Sequence, residues 1–307
     1  MRDTEKQIVS PLDGKGIVTK VIELLEANYV VTEKTEEIVE GIKKKLDEGQ
    51  YESLDNYEDL ANVLTTDLLE LSGDKHLYVR AIAKDKGESK LSLDDWLKQE
   101  REEEITENYG FTEAKILDGN IGYLKITGFM HPDRGIDTCN AAMKFLENTK
   151  AIVIDIRNNG GGYGGLSEYL ISYFFDEMPT HLSTTYFMEE GATEAQTFSH
   201  SFVVGKRRVE KEHKLYILVN EKTVSAAEYF AYVLQANKKA IIVGETSAGG
   251  AYRNTYFPLN EKLRISISTG RPIIKATGTS WEGVGVIPDL PCNSDHAIEL
   301  ALEHIGA

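Results

Sequence analysis

The sequence predicts an α/β protein with a largely parallel sheet, preceded by a small helical domain. From residue 111 onward, short apolar runs alternate with helix-forming stretches, which is the rhythm of βαβ units. Residues 15–84 instead repeat apolar side chains at helical spacing, with charged runs between them. We therefore predict a helical domain at 1–84, a charged linker at 85–110 and an α/β core domain at 111–307. The linker segment could also form a mobile surface helix, because it is polar, highly charged and low in β-branched residues.

The composition excludes several classes of function. The chain has 307 residues, 27% of them charged, and a formal net charge of −16 without a basic block, which argues against a nucleic-acid partner. No apolar run is long enough to span a membrane, so we expect no membrane insertion. The two cysteines lack metal-ligand spacing, and no motif indicates a metal or a cofactor. We expect a cytoplasmic protein as the chain stands, and a secreted or cell-envelope protein if a signal segment has been removed.

A glycine-rich turn follows the most apolar strand of the core domain. Residues 151–157 read as a buried strand, and five of the six residues at 160–165 are glycine. The turn lacks the Gly-Lys-Ser/Thr of a phosphate-binding loop and the fuller context of a dinucleotide site. It is either only a tight turn that ends the strand, or a source of free backbone N–H groups that could face a carbonyl oxygen.

Ser225 occupies a sharp turn between a strand at 215–219 and a helix at 226–236. A hydroxyl there lies beside the unpaired N–H groups and the positive dipole end of the helix, which suits a nucleophile. Ser225-Ala-Ala-Glu228 is also a capping box, and most serines in that pattern only cap a helix. His76 stands where the helical domain leads into a strand, and a single histidine there is more often structural.

Four motifs taken together resemble the C-terminal-processing (tail-specific) serine peptidases, closest to the branch of interphotoreceptor retinoid-binding protein modules and tricorn-like proteases. The motifs are Asp155-Ile-Arg-Asn-Asn-Gly-Gly-Gly, Thr223-Val-Ser225-Ala-Ala-Glu228, Gly244-Glu-Thr-Ser-Ala-Gly-Gly250 and Gly285-Val-Ile-Pro-Asp289. The helical start running into Gly73-Asp-Lys-His76 also looks like the N-terminal domain of the retinoid-binding branch. The resemblance implies a ββα spiral core related to the crotonase and Clp protease folds, with a small N-terminal helical domain. Many tail-specific members insert a PDZ domain before the core, but residues 85–110 are too short and too charged to form one, so we expect no PDZ domain.

The resemblance also implies site residues. The tail-specific members use a lysine base, but the matching position here is Gly250, so a Ser–Lys dyad is excluded there. The tricorn-like branch uses a histidine and a supporting glutamate, which His76 and Glu282 match. The implied serine peptidase has Ser225 as nucleophile, His76 as general base and Glu282 as supporting acid. The backbone N–H groups of Ala226 and of Gly161 or Gly162 would form the oxyanion hole on a peptide or protein substrate.

Two other readings stay open at this point. A non-catalytic carrier of a retinoid or fatty acid on the same fold would bind a hydrophobic ligand, with aromatic residues such as Tyr163, Tyr169 and Tyr229 lining its pocket. A crotonase-type acyl-CoA enzyme would use the amides of the glycine turn, but the acidic chain lacks an evident cationic site for nucleotide phosphates.

Overall fold

The computed structural model describes residues 12–52, 54–82, 93–188, 193–209 and 214–306. The predictions about the first eleven residues, and about residues 85–92 of the predicted linker, lie outside these ranges. Within them, no helix is both long enough and apolar enough to cross a bilayer.

The described secondary structure comprises helices and strands that we number in chain order. The helices are α1 (Gly14–Asn28), α2 (Thr32–Asp47), α3 (Tyr57–Ser72), α4 (Leu93–Thr106), α5 (Pro132–Phe145), α6 (Gly164–Ile171), α7 (Ala226–Ala236) and α8 (Ala297–Ile305). The strands are β1 (Tyr78–Ala81), β2 (Phe111–Leu117), β3 (Ile121–Ile126), β4 (Ala151–Asp155), β5 (His181–Phe187), β6 (Glu194–Phe198), β7 (Lys214–Val219), β8 (Ile241–Gly244), β9 (Arg253–Pro258), β10 (Leu263–Ile274) and β11 (Leu290–Pro291).

The chain divides into two compact units. The first joins residues up to 87 with residues 254–269, and the second joins residues 88–253 with residues 270–307. The sequence pattern placed residues 254–269 in the core domain. They lie in the first unit because β1 pairs antiparallel with the first half of β10, from Tyr78 opposite Ser266 to Ala81 opposite Leu263.

The first unit is built on α1, α2 and α3, as the helical spacing predicted. Their apolar stripes are buried, and Val18, Val21 and Leu64 are fully inaccessible to solvent. Helix α3 ends at Gly73, whose φ of 71° is a left-handed conformation that glycine adopts without steric cost. That ending turns the chain toward His76 and β1.

The second unit contains a six-stranded sheet in the order β11-β8-β7-β4-β3-β2. All of its neighbouring pairs are parallel except the β2–β3 hairpin, which turns at the predicted Asp118-Gly119-Asn120. Strand β4 lies at the centre with all five residues buried, so it packs on both faces. Ile152 and Ile154 contact the core that includes α5, α6 and α7, whereas Val153 contacts the core under α8.

Part of the predicted linker is a helix of the second unit. Helix α4 spans Leu93–Thr106, and its Glu104 is buried with only 4% of its surface exposed. Arg134 at the start of α5 donates two hydrogen bonds to the Glu104 carboxylate. This pairing holds the pKa of Glu104 below its usual value. The high charge of this segment predicted an exposed stretch of chain, and it did not indicate that Glu104 would be buried in an ion pair with Arg134.

Strands β4, β7 and β8 are adjacent and parallel, so the loops that follow them meet at one edge of the sheet. The glycine turn follows β4, the Ser225 turn follows β7 and the Gly244–Gly250 motif follows β8. Ligands of open α/β sheets bind at this carboxyl edge.

Candidate active site

Ser225 has an unusual backbone conformation at the end of the β7 loop. Its φ of 60° and ψ of −122° lie outside the regions that a side chain with a Cβ normally adopts. Such a conformation costs about 1–3 kcal/mol and persists only where the surroundings impose it. A strained serine at a strand-to-helix turn is the geometry of a nucleophile elbow, which presents the hydroxyl at the top of the sheet.

Hydrogen bonds between the β4 and β7 loops impose this conformation. The hydroxyl of Thr223 donates to the carbonyl of Ile156 (2.9 Å), and the N–H of Val224 donates to the carbonyl of Asn159 (3.1 Å). Both contacts immediately precede Ser225 in the chain. The turn is therefore anchored to the loop that carries the glycines.

The glycine turn approaches Ser225 so closely that a side chain would not fit. A Cβ placed on Gly161 would lie 2.7 Å from Ser225 Cβ and 3.0 Å from the nitrogen of Ala226. The φ of Gly161 is also +91°, which disfavours any other residue. The absence of a side chain at Gly161 thus allows the glycine turn to pack closely against Ser225.

Two backbone N–H groups near Ser225 have no hydrogen-bond partner among the described residues. They belong to Ala226, the first residue of α7, and to Gly162. The N–H of Gly161 instead donates to Asn159 Oδ1 (2.9 Å). The backbone on either side of Gly162 is held by Phe129, which donates to the Gly161 carbonyl (2.8 Å) and accepts from the Tyr163 N–H (2.7 Å).

Glu228 is a buried carboxylate that joins two of the sequence motifs. Its side chain is fully inaccessible and accepts from the N–H of Ser225 (2.9 Å), as the capping box predicted. It also accepts from the Ser247 hydroxyl (2.5 Å) and from the N–H groups of Gly249 (2.6 Å) and Gly250 (2.9 Å). Burial raises the pKa of Glu228, and these four donors oppose that rise.

The last three contacts of Glu228 were not foreseen from the sequence. The capping-box pattern explains only a contact within one helical turn, whereas Gly250 lies 22 residues away. A buried acid with four donors fixes the position of the serine turn relative to the β8 loop. Gly250 serves as one of these donors.

Glu282 holds the backbone that follows the Gly244–Gly250 motif. Its Oε2 accepts from the N–H groups of Ala251 (2.6 Å) and Tyr252 (3.2 Å), and the residue is half-buried. The preceding Trp281 is buried against Tyr229 and Tyr232 of α7, with ring centroids 6.0 and 5.4 Å apart. Glu282 is therefore built into the same unit as Ser225.

His76 belongs to the first unit and has few polar contacts. It is 9% exposed, its N–H donates to Asp74 Oδ1 (2.8 Å), and its carbonyl accepts from the Ser266 hydroxyl (2.6 Å). Its Nδ1 is buried and lacks a partner among the described residues. Burial lowers the pKa of the imidazole, and the buried Asp74 carboxylate opposes that change. The ring is consequently neutral near pH 7 and able to accept a proton.

The described residues contain no cluster of histidine, cysteine, aspartate and glutamate that could hold a metal ion. The second unit brings together Ser225, the amides of Ala226 and Gly162, and the carboxylate of Glu228. Such a group can present a serine nucleophile and stabilise a developing oxyanion.

Replacing Gly161 with alanine tests the close packing. The new Cβ would push the Ser225 turn and would hold a positive φ, so we expect a loss of about 1–3 kcal/mol in the free energy of unfolding. Displacement of the serine should also slow its reaction with a fluorophosphonate by about 100-fold. Gly160→Ala is the matched control, because a Cβ there meets nothing within 4 Å. Equal rates in the two variants would contradict the packing role.

Comparison with protein families gives two matches. The model described as peptidase family S41 matches residues 120–292, which is more than half of the chain. The model described as the N-terminal domain of peptidase S41 in eukaryotic IRBP matches residues 13–109. The two matches follow one another in the order that the motifs predicted.

Curated relatives include processing proteases. The carboxy-terminal-processing protease of Bartonella bacilliformis is 27% identical over 180 residues, which cover 57% of this chain and 39% of that protein. The chloroplastic carboxyl-terminal-processing peptidase 2 of Arabidopsis thaliana is 26% identical over 173 residues, covering 56% of this chain and 32% of that protein. The matched region therefore spans well under half the length of either relative.

Solved structures share the fold at low sequence identity. A lipoprotein from Streptococcus agalactiae has a TM-score of 0.61 at 15% identity, with 98% of this chain and 99% of that chain covered. The tricorn protease has a TM-score of 0.59 at 14% identity, with 96% of this chain and 37% of that chain covered. The predicted mixed α/β fold with a small helical N-terminal part is thereby confirmed. With the S41 model spanning more than half of its length, the chain belongs to peptidase family S41, a family of serine-type peptidases.

Proposed function

We propose that this protein cleaves peptide bonds near the carboxyl terminus of polypeptides, with Ser225 as its nucleophile. The observation that carries the proposal is the strained Ser225 turn beside the two unpaired N–H groups of Ala226 and Gly162. The names of the processing proteases among its relatives support the substrate class. Each of these relatives is considerably longer than the matched region, so the substrate assignment is a proposal for this chain.

In the proposed reaction, His76 accepts the proton of the Ser225 hydroxyl as the oxygen attacks the peptide carbonyl. The tetrahedral oxyanion is held by the N–H groups of Ala226 and Gly162, each contributing about 3–4 kcal/mol to transition-state stabilisation. We assign the second donor to Gly162 rather than Gly161, because the Gly161 N–H donates to Asn159. His76 then passes the proton to the leaving amine, and water completes hydrolysis of the acyl-enzyme.

Two carboxylates are proposed to support the catalytic groups. Glu282 fixes the backbone of Ala251 and Tyr252 through its Oε2, which would hold the β8 loop in place. Asp74 accepts from the backbone N–H of His76 and is 2% exposed. We propose that Asp74 also favours the imidazolium that forms when His76 takes the proton.

The retinoid or fatty-acid carrier is not favoured as an alternative. A carrier has no use for a strained serine beside free amides, and the named relatives are proteases. Of the three tyrosines expected to line its pocket, Tyr169 donates to Asn140 and Tyr229 is hydrogen-bonded to Ser183. These contacts are those of structural core residues.

The pH dependence of fluorophosphonate labelling tests the proposal. We expect wild-type protein to be labelled at Ser225, as located by mass spectrometry of the digest. The base must be neutral to act, and burial holds the pKa of His76 below 6.5, so the labelling rate should fall at acidic pH with a midpoint below 6.5. A folded protein without labelling, or a midpoint above 6.5, would contradict the assignment.

The variant Asp74→Asn tests the charge of the Asp74 side chain, because asparagine has nearly the same shape without the charge. The Asp74 carboxylate raises the pKa of His76 against the effect of burial, so its removal should move the labelling midpoint to lower pH still. A variant that labels more slowly at every pH but keeps the midpoint would show a purely structural contribution. Asp55→Asn is the control, because Asp55 is exposed and precedes the cap of α3.

A further inference from the structure

Two arginines face each other on the sheet of the first unit. Arg80 of β1 and Arg264 of β10 are direct partners in the antiparallel register, one position from the Val79–Ile265 pair. Directly opposite side chains have Cβ atoms about 4.5–5.5 Å apart and point to the same face. The two guanidinium groups therefore share one small area of this sheet face.

Each guanidinium lies over a tyrosine ring. The Arg80 group lies 5.4 Å from the centroid of Tyr78, and the Arg264 group lies 4.4 Å from the centroid of Tyr256. The two tyrosine hydroxyls are joined by a hydrogen bond of 2.6 Å. Stacking on a linked pair of rings restricts the planar groups and leaves their N–H edges as donors.

Neither arginine has an acidic partner among the described residues. No ion pair involves Arg80 or Arg264, and the Nε of Arg264 is buried without an acceptor. Like charges directly across a strand pair reduce stability. In a chain with 50 acidic and 34 basic residues, an unneutralised arginine pair is the arrangement expected of a site for an anion from outside the chain.

Arg80 lies on β1, the strand that begins just after His76, and Arg264 lies opposite Arg80 on β10. Tyr78 is opposite Ser266, whose hydroxyl donates to the His76 carbonyl. Arg80 follows His76 by four residues, which corresponds to about 13 Å along an extended strand. An extended peptide covers that length with about four residues.

We propose that Arg80 and Arg264 bind a carboxylate of the peptide substrate about four residues from the part of the substrate that contacts His76. The identification of the ligand as a peptide rests on the proposed function, whereas the anion site itself rests on the arginine pair. The carboxylate is that of the substrate's carboxyl terminus or of an acidic side chain. A guanidinium fork binds both by paired N–H···O bonds.

Binding is best measured on the full chain carrying Ser225→Ala, so that turnover plays no part. The probes are fluorescein-labelled peptide mixtures of equal length, one with a free carboxyl terminus, one amidated, and one amidated with a glutamate near its end. Fluorescence anisotropy should show at least fivefold tighter binding of the free acid, or of the glutamate peptide, than of the amide. Which of the two carboxylate peptides binds more tightly identifies the source of the carboxylate.

The arginine variants then locate the site. Arg80→Gln and Arg264→Gln, alone and together, should remove the preference for the carboxylate while leaving amide binding unchanged. Lys115→Gln is the matched control, because Lys115 also lies over a tyrosine ring (4.7 Å from Tyr123) but pairs with Glu113. Arg264→Lys keeps the charge without the fork and should retain part of the preference.

Equal affinity for acid and amide peptides in the Ser225→Ala background, or no binding of any peptide, would overturn the proposal. The same conclusion follows if both arginine variants behave like Lys115→Gln. An unfolded arginine variant would also lose the preference for the carboxylate peptides. The preference is therefore also measured with both arginines present, at about 0.05 M and about 0.5 M salt. It should be smaller at the higher salt concentration. A carboxylate preference in a protein that no fluorophosphonate labels would refute the peptidase function and leave the anion site standing.

Discussion

Replacing Ser225 with alanine is expected to abolish peptide hydrolysis, with a loss in kcat/KM of about 10⁴- to 10⁶-fold. In the proposed mechanism the Ser225 hydroxyl supplies the attacking oxygen. Its Cβ and backbone turn stay in place in the alanine variant, so the folded structure should not change. Hydrolysis of a fluorogenic peptide library measures the effect. Ser201→Ala is the control, because Ser201 is an exposed serine outside the three loops of the site.

The same measurement on His76→Ala tests whether the two residues act as one unit. If His76 is the base for Ser225, the single variants should lose similar activity and the double variant little more, because either change removes the same step. Effects that add in the double variant, or full activity in His76→Ala, would remove His76 from the mechanism. Circular dichroism confirms folding, since His76 is buried in the first unit.

Replacing Glu228 with glutamine is expected to lower the free energy of unfolding by about 2–5 kcal/mol and to suppress labelling of Ser225. Each carboxylate oxygen accepts from two donors, so an amide NH₂ in either position leaves two buried donors without an acceptor. Burial of the Glu228 charge is itself unfavourable, which is why burial raises the pKa of this group. Removing the charge therefore offsets part of the loss in the free energy of unfolding. Urea unfolding and fluorophosphonate labelling measure the two effects.

Glu221→Gln provides the comparison for this change. Glu221 is exposed in the same loop, so the substitution should alter the free energy of unfolding by no more than about 0.5 kcal/mol. Should Glu228→Gln unfold at the same urea concentration as Glu221→Gln, the buried network does not stabilise the site. A destabilised variant that still labels at the wild-type rate would show that the network supports the fold without setting the serine geometry.

Local sequence patterns predicted the features that depend on neighbouring residues. Asp118-Gly119-Asn120 predicted the β2–β3 hairpin because its turn needs left-handed residues, and Gly119 and Asn120 have φ values of 72° and 62°. The strand-turn-helix pattern around Ser225 was read correctly, as was the contact between Glu228 and the Ser225 N–H. The glycine turn was expected to leave backbone amides free, and that of Gly162 is free among the described residues.

Contacts between distant parts of the chain were beyond the reach of those patterns. Residues 254–269 have an ordinary alternating strand pattern, and nothing in it shows that their partner is β1 rather than the core sheet. Similarly, Glu104 and Arg134 each look like surface charges until α4 and α5 bring them together. Charge and periodicity describe one element at a time, whereas pairing depends on the path of the chain.

The sequence by itself determined the family, the positions of most of the helices and strands, and the identity of the candidate nucleophile, because these depend on local spacing and on ordered motifs. Only the tertiary structure decided that Ser225 is held in a strained turn, that Gly161 packs against it, that the Gly161 N–H is taken by Asn159, and that Glu228 joins the β7 and β8 loops. The physical reason is that parallel strands place their carboxyl-end loops side by side, so that residues more than 60 positions apart in the chain compete for the same hydrogen bonds and the same space.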